Sequence, residues 1–367
     1  MRKLSILHLN TERTFRGGEI QTLLLVRQLN LRGYKNVLCV QEGAPLARKA
    51  GDLGLDTIEL KMRGEWDLPA AGKLKRLIRI HNPDILHAHT PHGGTLALLA
   101  RGRKKLPAIV LSRRVSFPLR KNVVSRYKYR SMDGILAVSR TVRQQLIDAG
   151  LRAEKVFVGE SATDFSTLDD STSRDQARSK LMIPADSFVI GNIGHFDRDK
   201  GQDALIEWFD QLSTRSPERQ YFLLLGGEGP CLIECKQLAK RLNRQTRILF
   251  AGYRSDVQIL YAAMDLFFLA SPLEGFSGVL REAMGFGLPV ITVRQDAVYE
   301  LVSDGETGLL VSGDEKREWV EAIERLYNQP DLRNRLGLKA REFARQFTPQ
   351  RLADKTVACY DAVLRRA

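Results

Sequence analysis

Short apolar runs alternate with amphipathic segments along this chain, and the alternation happens twice. The runs at 4–9, 37–40, 84–88, 108–111, 134–138 and 155–158 read as strands. Between them, 19–31, 68–80, 95–101, 120–131 and 140–149 carry apolar residues at helical spacing, for example Ile20, Leu23, Leu24 and Leu31 in the first. Gly33 and Gly150 then stand where helix ends favour glycine. A polar stretch, 163–178, reads as a linker plus the start of a helix. The pattern then resumes with strands at 188–193, 221–225, 248–251, 266–269, 289–292 and 308–311. Helices are expected at about 202–216, 230–242, 256–263, 279–286, 314–328, 331–346 and 348–366. Strands joined by helices imply an α/β protein with parallel sheets, and two such series imply two Rossmann-like domains facing a cleft. The expected domains are 1–165 and 166–347, with 348–367 packing back on the first.

At 367 residues, with 43% hydrophobic and 27% charged, the chain is long enough to bury a core in each domain. Its charge is uneven. Of 57 Lys+Arg and 43 Asp+Glu, 30 basic and 13 acidic residues fall within 1–160, so that the excess belongs to the first domain. Such a bias points to anionic partners, a membrane surface or nucleic acid. Basic residues crowd at Arg101, Arg103, Lys104, Lys105, Arg113, Arg114, Arg120, Lys121, Arg126, Lys128 and Arg130, with Tyr127 and Tyr129 among them. The two tyrosines could stack on bases, but no helix-turn-helix, zinc-finger or RNA-binding signature accompanies them. No apolar run approaches the roughly 20 residues of a membrane span, and residues 1–12 lack the form of a secretory signal. Cys39, Cys231, Cys235 and Cys359 show no disulfide framework, and a reduced cytoplasmic protein is expected.

The densest chemical signal is at 271–287, SPLEGFSGVLREAMGFG. It follows an apolar strand and places a Gly- and Ser-containing turn at a helix N-terminus, where free N–H groups and the helix dipole favour phosphate. Glu274 precedes that helix and Glu282 lies within it, so the two could grip hydroxyls on two parts of one ligand. They could equally be a helix cap and a solvated carboxylate. His87, His89 and His92 close a strand in a spacing that invites a zinc reading, although no carboxylate or Cys ligand is near in sequence. His87 is expected to alternate to the other face of the strand and pack.

The Glu274-x7-Glu282 element within EGFSGVLREAMGFGLPVI, with Glu300 following, resembles the signature of the retaining glycosyltransferases of family 4, which have the GT-B fold. Gly17-Gly18, DILHAH at 84–89, AVS at 137–139, DKG at 199–201, GGEGP at 226–230 and 248–271 match the family in order and spacing. The resemblance implies that Glu274 contacts the donor sugar, Glu282 the ribose, and Gly275, Phe276 and Ser277 the sugar and diphosphate. It implies that Lys200 binds the diphosphate, with Gly17 and Gly18 beside it, and that Gly252, Tyr253 and Arg254 lie near the base. The family's Arg after Gly194 is absent, since His195 stands there; Arg198 is a candidate replacement. Asp197 and Asp199 resemble a metal-binding pair but lie in the cationic loop, and no metal is expected. His89 aligns with a histidine beside the reacting groups, and Arg113 and Arg114 are candidates for binding an acidic acceptor. Catalytic roles are thus expected for His89, Lys200 and Glu274.

What the resemblance implies overall is a metal-independent retaining transferase. It would move a hexose-type sugar from a nucleotide sugar, for which UDP is expected, to a lipopolysaccharide or lipid-linked saccharide. The expected protein is a monomer without cofactor, held on the cytoplasmic face of an anionic membrane by its basic domain and not by nucleic acid. The rival is a non-catalytic nucleotide-binding protein whose basic domain binds nucleic acid or membrane.

Overall fold

The computed structural model describes residues 3–102, 106–119, 122–168, 171–244, 247–313 and 315–366. The chain divides into two compact units, Met1–Ala162 with Phe347–Ala367, and Thr163–Gln346.

The first unit alternates strand and helix in the order β1 (Ser5–Asn10), α1 (Gly17–Leu31), β2 (Lys35–Gln41), α2 (Pro45–Asp52), β3 (Thr57–Leu60) and α3 (Leu68–His81). It continues with β4 (Ile85–Ala88), α4 (Pro91–Arg101), β5 (Ala108–Arg113), α5 (Val123–Arg130), β6 (Gly134–Ala137), α6 (Arg140–Asp148) and β7 (Val156–Val158). All the strands pair in parallel, in the order β3-β2-β1-β4-β5-β6-β7. Crossing helices cover both faces, so the central strands are near-continuous apolar runs. Every residue of β4, β5 and β6 is buried.

Two elements were not expected, α2 and β3. The strand is four residues at the sheet edge with only Leu60 buried, and the helix buries only Leu46 and Ala50, too little apolar surface to stand out as a pattern. The inward face of α1 matches expectation in part: Leu23 is buried and Leu24 packs on the core, but Leu25, Val26 and Leu29 are buried as well, whereas Ile20 and Leu31 are exposed.

The second unit contains α7 (Arg174–Leu181), β8 (Phe188–Ile193), α8 (Gln202–Arg215), β9 (Tyr221–Gly226), α9 (Leu232–Arg241), β10 (Ile248–Gly252) and α10 (Gln258–Ala263). It goes on through β11 (Leu266–Leu269), α11 (Gly278–Gly285), β12 (Val290–Val293), β13 (Leu309–Val311), α12 (Lys316–Asn328) and α13 (Pro330–Ala344). Its six parallel strands run β10-β9-β8-β11-β12-β13. The core packs Trp319 on Trp208 and Phe268, with ring centroids 3.6 and 4.2 Å apart.

The last helix, α14 (Pro349–Leu364), belongs to the first unit. Leu352, Ala353, Cys359, Tyr360 and Val363 join Ile6, Leu25, Ile85 and Val110 in its core. It lies so close to β6 that a Cβ on Gly134 would come within 2.7 Å of Val363. Among the described residues, no helix is long and apolar enough to cross a membrane.

Helix α13 approaches the turn after α11 just as closely: a Cβ on Gly337 would lie 2.1 Å from the carbonyl oxygen of Gly287. Alanine ordinarily improves a helix interior by about 1 kcal/mol over glycine, but a backbone clash costs about 1–3 kcal/mol. Gly337→Ala is therefore expected to lower the urea midpoint of the second unit. A raised midpoint would show that α13 can shift away.

Candidate active site

In the second unit, the loops leaving β8, β9, β10 and β11 pack backbone against backbone. Gly227 (φ +125°) has no room for a side chain, since a Cβ there would stand 1.9 Å from the Gly194 carbonyl oxygen. Gly201 (φ +68°) begins α8 against the carbonyl of Ala270, 2.7 Å from where its Cβ would be. Only glycine combines these conformations with such proximity. Gly227 N donates to Gly252 O at 2.8 Å, and Ser271 Oγ to Asp199 O at 3.1 Å. The loop of Lys200 is thus fastened to the loop of Glu274.

The fastening brings two residues 74 positions apart into contact. Lys200 Nζ lies 2.9 Å from Glu274 Oε1. Gln295, which no motif drew attention to, supports the pair from behind. Its Oε1 accepts from Glu274 N at 2.6 Å and its Nε2 donates to Ser271 O at 2.9 Å. Gly275, Phe276 and Ser277 lead into α11, with Ser277 at the N-cap position and its hydroxyl not bonded to the helix. Glu274 stands four residues before α11, whose first-turn N–H groups have no partner within the helix, as in sites that take phosphate oxygens.

Glu282, on α11, accepts from Tyr261 Oη at 2.8 Å. Burial pushes its carboxyl above the usual range, while Tyr261 and Arg281 oppose that push. Arg281, inside the motif but unremarked in it, is buried, donates to Phe276 O at 2.8 Å and lies over the Phe276 ring. Burial lowers its pKa to about 10, so it remains a cation at neutral pH and holds the loop from beneath. Arg198 is not brought to this pair. It is exposed and lines a cavity of about 380 Å³ with Asp203, Glu207 and Glu234. Gly252 ends β10, Tyr253 is exposed, and Arg254 is engaged with both oxygens of Asp256 at 2.8 and 2.7 Å.

In the first unit, Gly17 and Gly18 form the first turn of α1 rather than the loop before it. The carboxylate of buried Glu19 folds back to accept from Arg16 N at 2.9 Å, which starts the helix two residues early. A Cβ on either glycine would meet nothing within 4 Å.

The histidines differ from expectation in two ways. His87 and His89 share one side of the strand, as residues two apart must, and their rings lie 4.2 Å apart. The third member of the group is His8 of β1, whose register partner in β4 is His87; His92 is exposed on α4. Among the described residues these three imidazoles form the one group spaced like metal ligands. Their nitrogens are already engaged: His8 with His89 at 3.0 Å and Asn36 at 3.0 Å, His87 with Tyr360 at 2.6 Å and Ser112 at 2.8 Å, His89 with Arg114 at 3.1 Å. A metal would have to displace these bonds beside a guanidinium, so the set does not fit one.

Arg113, the last residue of β5, and Arg114, just past it, take different partners. Arg113 turns inward, donating to Tyr129 Oη at 2.6 Å and to the Phe117 carbonyl, and is not available to an acceptor. Tyr129 is buried with it and cannot stack on a base. Arg114 stays at the strand end, bonded to His89. Of the basic tract, Arg103–Lys105 and Arg120–Lys121 lie outside the described residues. Arg101 pairs with Asp133, and Lys128 with Glu65 at 2.6 Å. Trp66, Leu98, Leu99, Val124 and Tyr127 line a cavity of about 600 Å³ beside them.

Residues 15–164 match the family described as Glycosyltransferase Family 4, and residues 173–343 match Glycosyl transferases group 1. The chain belongs to the group 1 glycosyltransferases. It is therefore an enzyme of sugar transfer and not a non-catalytic nucleotide binder. Among its relatives, the lipopolysaccharide core biosynthesis glycosyltransferase LpsE of Rhizobium meliloti is 28% identical over 92% of this chain and 94% of its own length. The N-acetyl-alpha-D-glucosaminyl L-malate synthase of Bacillus anthracis is 28% identical over 82% of this chain and 80% of its own. HepE of Anabaena, solved with UDP and glucose, superposes with a TM-score of 0.84 at 21% identity, over 97% of this chain and 98% of that one. The fold of this glycosyltransferase is GT-B.

The buried histidines make a prediction for stability. Burial drives the pKa of His8 to about 4, and those of His87 and His89 well below the ordinary 6.5. The unfolded chain takes up these protons near pH 6.5 and the folded chain does not, so stability falls as pH drops. Each histidine contributes a slope of about 1.4 kcal/mol per pH unit. Urea midpoints should therefore decline from pH 6.5 to 4 and the decline should be shallower in His8→Asn. A flat profile across that interval would contradict the neutral cluster.

Proposed function

We propose that this glycosyltransferase moves a hexose-type sugar, with retention of configuration, from a UDP-linked donor to a hydroxyl of a lipopolysaccharide or other lipid-linked saccharide. The second unit is the donor side and the first the acceptor side. The observation that carries the proposal is the contact of Lys200 with Glu274 beside the N-terminus of α11. The likeness to HepE, solved with UDP and glucose, supports a UDP-linked donor, and the relative LpsE supports a lipopolysaccharide-type acceptor.

In this reading Lys200 and Glu274 hold one another until a donor separates them. The Lys200 ammonium then serves the diphosphate, whose negative charge grows as the glycosidic bond breaks. A fixed cation stabilises that charge more in the transition state than in the ground state. Glu274, released from the ion pair, accepts hydrogen bonds from the sugar hydroxyls. The N–H groups of Gly275, Phe276 and Ser277 and of the first turn of α11 bind the phosphate and sugar oxygens. Glu282, kept in place by Tyr261, receives the ribose hydroxyls. The departing phosphate helps deprotonate the attacking hydroxyl on the same face, so no carboxylate nucleophile is needed and the carboxylate spacing of glycosidases does not apply.

The reaction is proposed to need no metal. His89, expected beside the reacting groups, is buried with both ring nitrogens engaged, and it supports Arg114, which attends the acceptor. The basic first unit, with the apolar cavity at Trp66 and Tyr127, is proposed to rest on the anionic cytoplasmic face of a membrane, the protein acting as a monomer.

UDP is expected to raise the melting temperature, by about 2.7 kcal/mol of added stability at a hundredfold excess over Kd. Among UDP-sugars, at least one should be turned over to UDP. Lys200→Ala should slow that turnover by about 10²–10³, the effect of removing one charge-stabilising group. If no UDP-sugar is bound or consumed, or if Lys200→Ala turns over normally, the proposal fails.

A further inference from the structure

We infer that His8 and Asn36 are positioning residues, which fix Arg114 by setting the tautomer of His89. The role given to Arg114 rests on the reading of the first unit as the acceptor side; the hydrogen-bond chain itself does not.

The chain crosses four adjacent strands of the sheet, from Asn36 on β2 through His8 on β1 and His89 just past β4 to Arg114 just past β5. Asn36 Oδ1 lies 3.0 Å from His8 Nε2, His8 Nδ1 lies 3.0 Å from His89 Nε2, and His89 Nδ1 lies 3.1 Å from Arg114 Nη2. A histidine nitrogen can donate or accept, so these distances alone leave the protons unassigned. The two ends of the chain assign them.

A guanidinium only donates. Arg114 therefore requires His89 Nδ1 to accept, which leaves the proton of neutral His89 on Nε2. That Nε2–H donates to His8 Nδ1, so the proton of His8 is also on Nε2, and it donates to Asn36 Oδ1. At the far end, a backbone carbonyl only accepts. Tyr34 O lies 3.0 Å from the other terminal atom of the Asn36 amide, which must then be Nδ2, leaving Oδ1 toward His8. The two ends are reached from opposite directions and require the same protons in the same places.

An added proton on either ring would set two N–H groups against each other, and burial opposes the charge as well. Arg114 is thus held by a neutral lone pair and keeps its own charge. Its Nη1 also donates to His89 O at 3.4 Å, and the Glu19 carboxylate favours the cation electrostatically. Two of its five N–H groups go to His89, and a guanidinium fork held in this way suits a phosphate or carboxylate on an acidic acceptor saccharide. His87 lies outside this chain, bonded to Tyr360 and Ser112.

The test is ¹⁵N NMR of the histidine rings and of Arg114 in the full-length protein at pH 7. Both His8 and His89 should be protonated at Nε2 and bare at Nδ1. In His8→Leu, where Arg114 alone still favours a bare Nδ1, the bias of His89 should weaken and the Arg114 Nε–H should exchange with water at least tenfold faster. His8→Asn, whose Oδ1 can stand where Nδ1 stood, should restore both. Should His8→Leu fail to fold, Asn36→Asp should raise the pKa of His8 from about 4 toward the ordinary 6.5, because a carboxylate favours the imidazolium; Arg114 Nε–H exchange that quickens as His8 takes up its proton supports the chain, and exchange that does not change overturns it. Protonation of Nδ1 in either wild-type ring, or Arg114 exchange indifferent to His8→Leu, overturns the inference. Inorganic phosphate added to the same samples separates the two claims: a wild-type Arg114 resonance that ignores it defeats the anion-contact reading and leaves the positioning result standing.

Discussion

Both sheets are parallel and covered on both faces, which restricts where polar chemistry can stand. Within the strands the backbone groups are satisfied by neighbouring strands and the side chains by apolar layers, as in β8 and β9, where every residue is buried. His8 and His87, within β1 and β4, are accommodated there as neutral rings whose nitrogens are all engaged. A charged pair such as Lys200 and Glu274 instead has room where strands end and loops begin. The loops there are not slack. Glycines allow the backbones of Gly227 and Gly194, and of Gly201 and Ala270, to touch, so the side chains they carry are held by the sheet's own rigidity.

The burial that builds these sites also tunes them. Glu282 is pushed toward its neutral form and Arg281 and Arg114 are eased toward lower pKa values, each by loss of water. The partners decide what survives. Arg281 and Arg114 remain cations because Glu282 and Glu19 stand near them, whereas the three histidines, surrounded by one another and by Arg114, remain neutral. The result is a first unit whose strand ends present one fixed cation over an uncharged support, and a second unit whose cation and carboxylate occupy one another.

Much of this was legible in the sequence, and the exceptions share a cause. The α/β class and the GT-B fold followed from alternating periodicity and ordered motifs, and the strands 188–193 and 266–269 end where expected. The turn holding Glu274 and Glu282 was legible because it is local, nine residues on one strand–turn–helix. Whatever depends on which strands are neighbours was not. His8 lies 81 residues from His89, and only the β1–β4 register brings them together; Gln295 reaches Glu274 because β11 and β12 are adjacent. Strand geometry accounts for two further differences: residues two apart, His87 and His89, share a face, and Arg113, the last residue of β5, turns into the fold while Arg114 lies beyond the strand. Helix α2 and the edge strand β3 bury too little to leave a pattern in the sequence.

The account stands on the second unit receiving a nucleoside diphosphate at the Lys200 loop and the start of α11. Backbone hydrogen exchange, compared with and without UDP, reads those amides directly. Slowed exchange at Lys200–Gly201 and across Gly275–Val279, with β2 and β3 of the first unit unaffected, is the predicted result. Binding of UDP that leaves both segments exchanging as before would contradict it.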